Sequence, residues 1–233
     1  MREIVLDTET TGFDAEKDDR IVEIGAIELL NHLPTGRTFH EYIDPERSMP
    51  KEAFDVHGLG DDFLRGKPKF AQIAEKFIDF IGQDSRLVIH NASFDMKFLN
   101  AELRRAGHTA LPFSRALDTV GLAREKFPGS PASLDALCRR FGIDNSNRTL
   151  HGALLDSELL AEVYLELIGG RQPDLVLDRP AQAPEPGQIS DGRMDARQPR
   201  PVPLPSRLTQ AETAAHAEFV ARLGDAAIWT RFQ

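Results

Sequence analysis

Residues 4–12 read Ile-Val-Leu-Asp-Thr-Glu-Thr-Thr-Gly. Three apolar residues lead into two carboxylates one residue apart, followed by threonines and a glycine. An apolar, partly β-branched run bounded by Thr and Gly predicts a buried strand. Side chains two apart in a strand share a face. Asp7 and Glu9 are therefore expected to project together, at or just past the end of a central strand. Neighbouring acids resist ionising together, and a divalent cation between them is the usual remedy. A surface strand ending in solvated acids is the plainer alternative.

The flanking sequence supports a sheet built around this strand. Residues 3–8 form the strand, and 12–19 a charged loop led by glycine. Residues 20–30 alternate as a second strand. Residues 31–36 carry Pro and Gly and predict a hairpin turn, and 38–44 alternate as the returning strand. Residues 45–66 are irregular, with at most short helical turns, and contain Glu52 and the run Phe54-Asp55-Val56-His57-Gly58. A long irregular stretch inside a domain is often functional.

Residues 70–81 show helical spacing with one apolar stripe. A short strand at 87–89 runs into His90-Asn91-Ala92-Ser93-Phe94-Asp95. A helix follows to about Ala106, with Ser93 expected as its N-cap and Asp95 in its first turn. Helices are predicted over 116–126 and 133–141, the second capped by Ser133. Residues 142–148 are a polar loop, and 151–168 are the strongest helix, ending at Gly169-Gly170. The pattern predicts an α/β fold: a mixed sheet, with a three-strand antiparallel meander plus further strands, flanked by helices.

Bulk properties narrow the class. The chain has 233 residues, 41% apolar and 28% charged, as in ordinary soluble proteins. One cysteine, Cys138, excludes a disulfide framework and a thiolate zinc site. No apolar run approaches the ~20 residues that span a bilayer, and the first residues lack a signal-peptide pattern. A cytoplasmic protein is expected. Net charge is −9, which argues against nonspecific duplex binding through a basic surface. Residues 171–233 are neutral, with eight Arg and eight acids, so residues 1–170 carry the whole imbalance. An acidic domain acting on nucleic acid needs cations to offset repulsion.

Two more acids stand where they can aim inward. Asp95 opens a helix after a strand, and Asp156 lies among Leu154, Leu155, Leu159 and Leu160. A carboxylate among leucines must be paired or bind metal. If Asp7, Glu9, Asp95 and Asp156 converge, two Mg²⁺ or Mn²⁺ ions make them a clamp for in-line phosphoryl displacement. Oxygen-only ligands favour those ions over zinc. His151 lies five residues before Asp156, beside Gly152, and suits a general base toward water. Singly, Asp95 also reads as a first-turn acid stabilising a helix dipole, and His151 as a helix-start histidine bonded to backbone.

Three segments together are more specific. Leu-Asp-Thr-Glu-Thr-Thr-Gly (6–12), His-Asn-Ala-Ser-Phe-Asp (90–95) and His-Gly-Ala-Leu-Leu-Asp (151–156) resemble, in order, the motifs of the DEDDh 3′→5′ exonucleases. Phe-Pro-Gly (127–129), Ser-Leu-Asp-Ala-Leu-Cys (133–138) and the residues 148–156 resemble the branch of proofreading subunits of bacterial replicative polymerases. The likeness covers about residues 3–170. It implies a ribonuclease H-like fold and release of 5′-monophosphates from 3′ ends. It implies Asp7, Glu9 and Asp156 around the metal nearer the nucleophile, Asp7 and Asp95 toward the second, and His151 as general base. Asp7, Glu9, Asp156, Glu52 and His57 would contact the terminal nucleotide. The same site also serves RNA-trimming relatives, which is the alternative activity. A catalytically dead scaffold is a third reading, disfavoured by the presence of all four acids and His151.

The remainder predicts tethering. Residues 171–206 hold eight of the 15 prolines and read as a flexible linker without a core. Gln172, Leu175 and Leu177, within 172–177, resemble a sliding-clamp-binding peptide. Residues 207–233 predict an amphipathic helix with an aromatic end, too short to be stable alone. They resemble a polymerase-binding segment, with His216, Phe219 and Trp229 as contacts to the catalytic (alpha) subunit. The expected domains are thus 1–170, 171–206 and 207–233.

Overall fold

The computed structural model describes residues 1–146, 148, 150–170 and 208–223. The chain divides into two units, Met1–Val176 and Leu177–Gln233, each taken here by itself. In the first, the Ile-Val-Leu run lies within strand Arg2–Thr10 (β1), at the middle of a five-stranded sheet. Strand Ile21–Leu30 (β2) pairs antiparallel to β1, and Leu33–Tyr42 (β3) antiparallel to β2 at the edge. On the other side of β1, Arg86–Ile89 (β4) runs parallel to it, and Ala116–Asp118 (β5) parallel to β4. The order is β3-β2-β1-β4-β5, the expected mixed sheet with its antiparallel meander.

Alternation along β1 sends side chains into two cores. Ile4 and Leu6 pack with helices Phe70–Ile81 (α3) and Ala92–Arg105 (α4), joined by Phe39 of β3. Val5, on the opposite face, packs with helices Leu134–Phe141 (α6) and Ala153–Leu167 (α7). The short helices Lys51–His57 (α1) and Asp61–Leu64 (α2) precede α3 in the chain, and Thr119–Lys126 (α5) follows β5. Ser133 caps α6 by accepting from the Ala136 N–H at 3.3 Å, as expected.

Four local expectations are corrected. The hairpin turn is not 31–36 but the pair Asn31-His32, with φ of 51° and 68°, and β3 begins at Leu33. Asn tolerates this left-handed geometry, and His32 brings its Nδ1 to 2.8 Å from a Glu3 carboxylate oxygen. Pro34 is accommodated because β3 is an edge strand. Ser93 does not cap α4. Asn91 takes the N-cap position with φ 66°, turning the chain sharply from β4, and its N–H donates to Asp118. Residues 116–118 are strand rather than helix, because three residues are too few to show a period and only pairing with β4 defines them. Finally, α7 starts at Ala153, so His151 stands in the loop before it with Gly152 as N-cap.

In the second unit, helix Gln210–Leu223 (α8) matches the predicted amphipathic segment. Thr209 and Glu212 form a reciprocal capping box at its start. None of its residues is buried.

Candidate active site

The acidic residues meet where β1 ends. Because β1 and β4 are parallel, their carboxyl ends lie together, and α4 starts from the same end of the sheet. Crevices at the carboxyl ends of parallel strands are the usual ligand sites of such sheets. Asp7 and Glu9 continue the face of Val5 toward α7. Asp156, in the first turn of α7 and 3% exposed, comes from that side. Asp95, 2% exposed in the first turn of α4, comes from the other and accepts from the Thr8 hydroxyl at 2.7 Å. All four acids line one cavity of about 760 Å³, together with Glu52, His57, His90 and His151.

Two close contacts set α7 in place. Gly25 of β2 faces the start of α7 so tightly that a Cβ there would lie 2.2 Å from the Ala153 carbonyl carbon and the Leu154 nitrogen. The Ser157 hydroxyl, one residue past Asp156, donates to the Gly25 carbonyl at 2.9 Å. On the opposite side, Arg20 holds buried Glu102 of α4 with two hydrogen bonds, at 2.5 and 3.0 Å. The helix that carries Asp156 is therefore tied to β2, and the one that carries Asp95 to Arg20, the residue just before β2.

Burial and crowding dominate the electrostatics. Asp7 is pushed well above the carboxylate range by burial first, then by Asp95, Glu9 and Asp156. Glu9 is raised to about 8 by burial, then by Asp156 and its cross-strand neighbour Glu23. Asp95 rises to about 7 through burial, against the hydrogen bond from Thr8. Asp156 alone goes down: burial lifts it, but the hydrogen bonds from Arg148, with His151 close by, outweigh that. A set of mutually repelling, desolvated oxygens is the donor chemistry of a hard divalent cation. Ligand atoms of Glu9, His151 and Asp156 lie within 4.8 Å of one another, so the residues present fit such an ion.

Arg148 occupies this cluster and is only 8% exposed. Its guanidinium donates to both Asp156 oxygens, at 2.5 and 2.8 Å, to Asp135 at 3.0 Å and to His151 Nδ1 at 2.8 Å. The backbone N–H of His151 donates to the Val56 carbonyl, which joins the α7 entrance to α1. His57, 5% exposed at the end of α1, accepts from the Leu59 N–H through Nδ1, and burial lowers its pKa, keeping it neutral. Glu52 lies exposed on the cavity rim in the first turn of α1. Phe13, 87% exposed, sets its ring edge-on to Phe94 at 6.4 Å beside the acids.

The structure thus brings together every residue expected in the nuclease site. Sequence reasoning passed over Arg148, Phe13, His90 and Asp135. Arg148, His90 and Asp135 all stand inside the quoted segments 148–156, 90–95 and 133–138, and that was the available signal. In the tail, His216 and Phe219 lie on α8, and Phe219 is 55% exposed. Gln172, Leu175, Leu177 and Trp229 lie outside the described residues, as does the whole of the expected linker, 171–206.

Comparison with known proteins agrees with this geometry. The family model described as Exonuclease matches residues 4–164. The DNA polymerase III subunit epsilon of Rickettsia prowazekii is 47% identical over 234 residues, covering 96% of this chain and 97% of that protein. The subunit of the same name from Rickettsia felis is 59% identical over 175 residues, covering 74% and 76%. The one from Escherichia coli is 50% identical over 177 residues, covering 73% and 72%. Among solved structures, the nuclease domain of 3′hExo, a DEDDh family member bound to rAMP, aligns with a TM-score of 0.61 at 22% identity, covering 72% of this chain and 91% of that one. Exonuclease X in complex with 5′ overhanging duplex DNA aligns with a TM-score of 0.56 at 24% identity, covering 71% and 90%. At these identities the two structures speak for the fold alone.

Proposed function

The chain belongs to the exonuclease family, among the DNA polymerase III epsilon subunits, and on that footing we propose that it edits the 3′ ends made by a bacterial replicase. It is a 3′→5′ exonuclease that removes mispaired terminal nucleotides as 5′-monophosphates. The observation that carries the reading is the convergence of Asp7, Glu9, Asp95 and Asp156 in one cavity with His151 at its rim.

Asp7, Glu9 and Asp156 would hold one divalent cation, and Asp7 with Asp95 a second, Mg²⁺ or Mn²⁺. Bound there, the ions supply the Lewis acidity that polarises the phosphodiester and steadies the departing oxygen. His151, on a loop with glycine behind it, accepts the proton of the attacking water. Glu52 and His57 position the terminal nucleotide; neutral His57 does so as a hydrogen-bond donor through Nε2. Thr8 keeps Asp95 aimed at the site through its hydrogen bond.

Beyond the nuclease, residues 172–177 dock on the sliding clamp (beta), and 207–233 on the polymerase catalytic (alpha) subunit. The exposed α8, short for a helix stable alone, suits folding against such a partner. On this reading the protein works within the replisome. Among the described residues no helix is long and apolar enough to cross a membrane.

The test is digestion of a primer with a 3′ mismatch, with Mg²⁺ or with EDTA, beside an RNA strand of the same sequence. Mg²⁺-dependent release of deoxynucleoside monophosphates is expected. His151→Ala is expected to cost about 100-fold or more, and Asp156→Ala to abolish cleavage. Preferential RNA cleavage, or full activity in EDTA, would overturn the reading.

A further inference from the structure

We infer that Arg148 is an internal counter-ion that latches the nuclease site shut and is exchanged for the divalent cation when the site loads. The inference rests on the two-cation reading above and adds to it a competitor within the chain.

The argument starts from what the guanidinium covers. Its Nε and Nη2 donate to the two Asp156 oxygens at 2.5 and 2.8 Å, a bidentate pair that takes up the lone pairs facing the cavity. The same Nη2 lies 2.8 Å from Nδ1 of His151. A guanidinium has donors only, so that imidazole nitrogen must accept, and its lone pair is not free to take a proton from water. One side chain therefore occupies both a cation ligand and the candidate base. Glu9, His151 and Asp156 otherwise present ligand atoms within 4.8 Å of one another. A cation on Asp156 and the guanidinium on the same two oxygens exclude each other by charge and by space.

The surroundings offer Arg148 somewhere to go. Nη1 also donates to Asp135 at 3.0 Å. Asp135 belongs to α6, its side chain is 49% exposed, and it receives a second hydrogen bond from Asn145. Asp135 lies at the cavity wall and is not one of the four clustered acids. The segment bearing Arg148 lies between Gly142, which has φ 70°, and Gly152, the N-cap of α7. With Asp156 surrendered, Arg148 keeps its charge paired on Asp135, and His151 is released in the same event. Loading and activation are then one step.

The experiment measures Mn²⁺ binding by calorimetry on the full chain, and thermal unfolding in EDTA and in saturating Mn²⁺, for the parent, Arg148→Gln and Arg148→Lys. Exchange predicts that R148Q binds Mn²⁺ about tenfold more tightly, and that R148K, lacking the fork, falls between. It also predicts that R148Q melts lower than the parent in EDTA but close to it in Mn²⁺. Equal or weaker Mn²⁺ binding by R148Q, with the parent binding normally, would overturn the latch and leave the two-cation site standing. Absence of Mn²⁺ binding by the parent would overturn the site reading itself.

Discussion

Glu9 and Asp95 hold protons in the folded chain that they would lose when unfolded. Their folded values, about 8 and about 7, stand above the ordinary 4.5 and 3.8. A carboxyl raised in this way destabilises the fold as it is forced to ionise, so without metal the domain loses stability as pH climbs from about 4 through 8. Asp156 has the opposite sign, since its charge is welcomed by Arg148, and its contribution is lost only in acid. In EDTA, the melting temperature is expected to fall by roughly 5 °C between pH 5.5 and 8.5. Saturating Mn²⁺ should remove most of that fall, because cations satisfy the ionised acids. A melting temperature that rises with pH in EDTA would contradict the assigned repulsion. The carboxylates themselves were legible in the chain as spaced motifs. Their protonation was not, because it depends on burial and on neighbours such as Glu23, which is near Glu9 only through strand pairing.

Among the elements, α7 seated on β2 carries the most consequence. Gly25 has an ordinary strand position, and nothing in its local sequence marks it. Its value lies in the missing Cβ, which would meet α7 backbone at 2.2 Å. Backbone cannot swing aside as a flexible side chain does, so Gly25→Ala must push α7 outward and carry Asp156 with it. The expected cost is about 2–3 kcal/mol in urea unfolding, together with a loss of nuclease activity larger than stability alone explains. A G25A variant with unchanged Mn²⁺ affinity would show that α7 is not positioned at this contact. Helices α3 and α6 were readable from spacing and a capping serine, since those signals are local. Strand β5 and the N-cap of α4 were not: the first exists by pairing with β4, the second by a left-handed Asn91 whose N–H bonds to Asp118.

Over the entire chain, residues 1–170 carry the whole net charge of −9 and residues 171–233 are neutral. On the proposed reading, residues 171–206 tether the nuclease near the primer end at high effective concentration. A chain ending at residue 170 should degrade free single-stranded DNA at a rate close to that of the full chain, yet fail to bind the polymerase alpha subunit. In the full chain, Gln172→Ala with Leu175→Ala should weaken sliding-clamp binding by about tenfold or more, a loss of anchor contacts. Both effects are measurable by surface-immobilised binding beside a nuclease assay. Unchanged clamp affinity would remove residues 172–177 from the interaction.

Read from residues alone, the chain already specified its chemistry: acids at 7, 9, 95 and 156, a histidine at 151, a mixed sheet, and a proline-rich stretch before a terminal helix. Such features are local in the chain, since strand alternation, helical spacing and motif order each lie within a few residues. Folding settled which charges face one another. It put Arg148 against Asp156 and His151, set a glycine of β2 beneath α7, and raised two carboxyls to titrate near neutrality. These outcomes come from segments far apart in sequence being packed together out of water, where the strength of every charge depends on its neighbours.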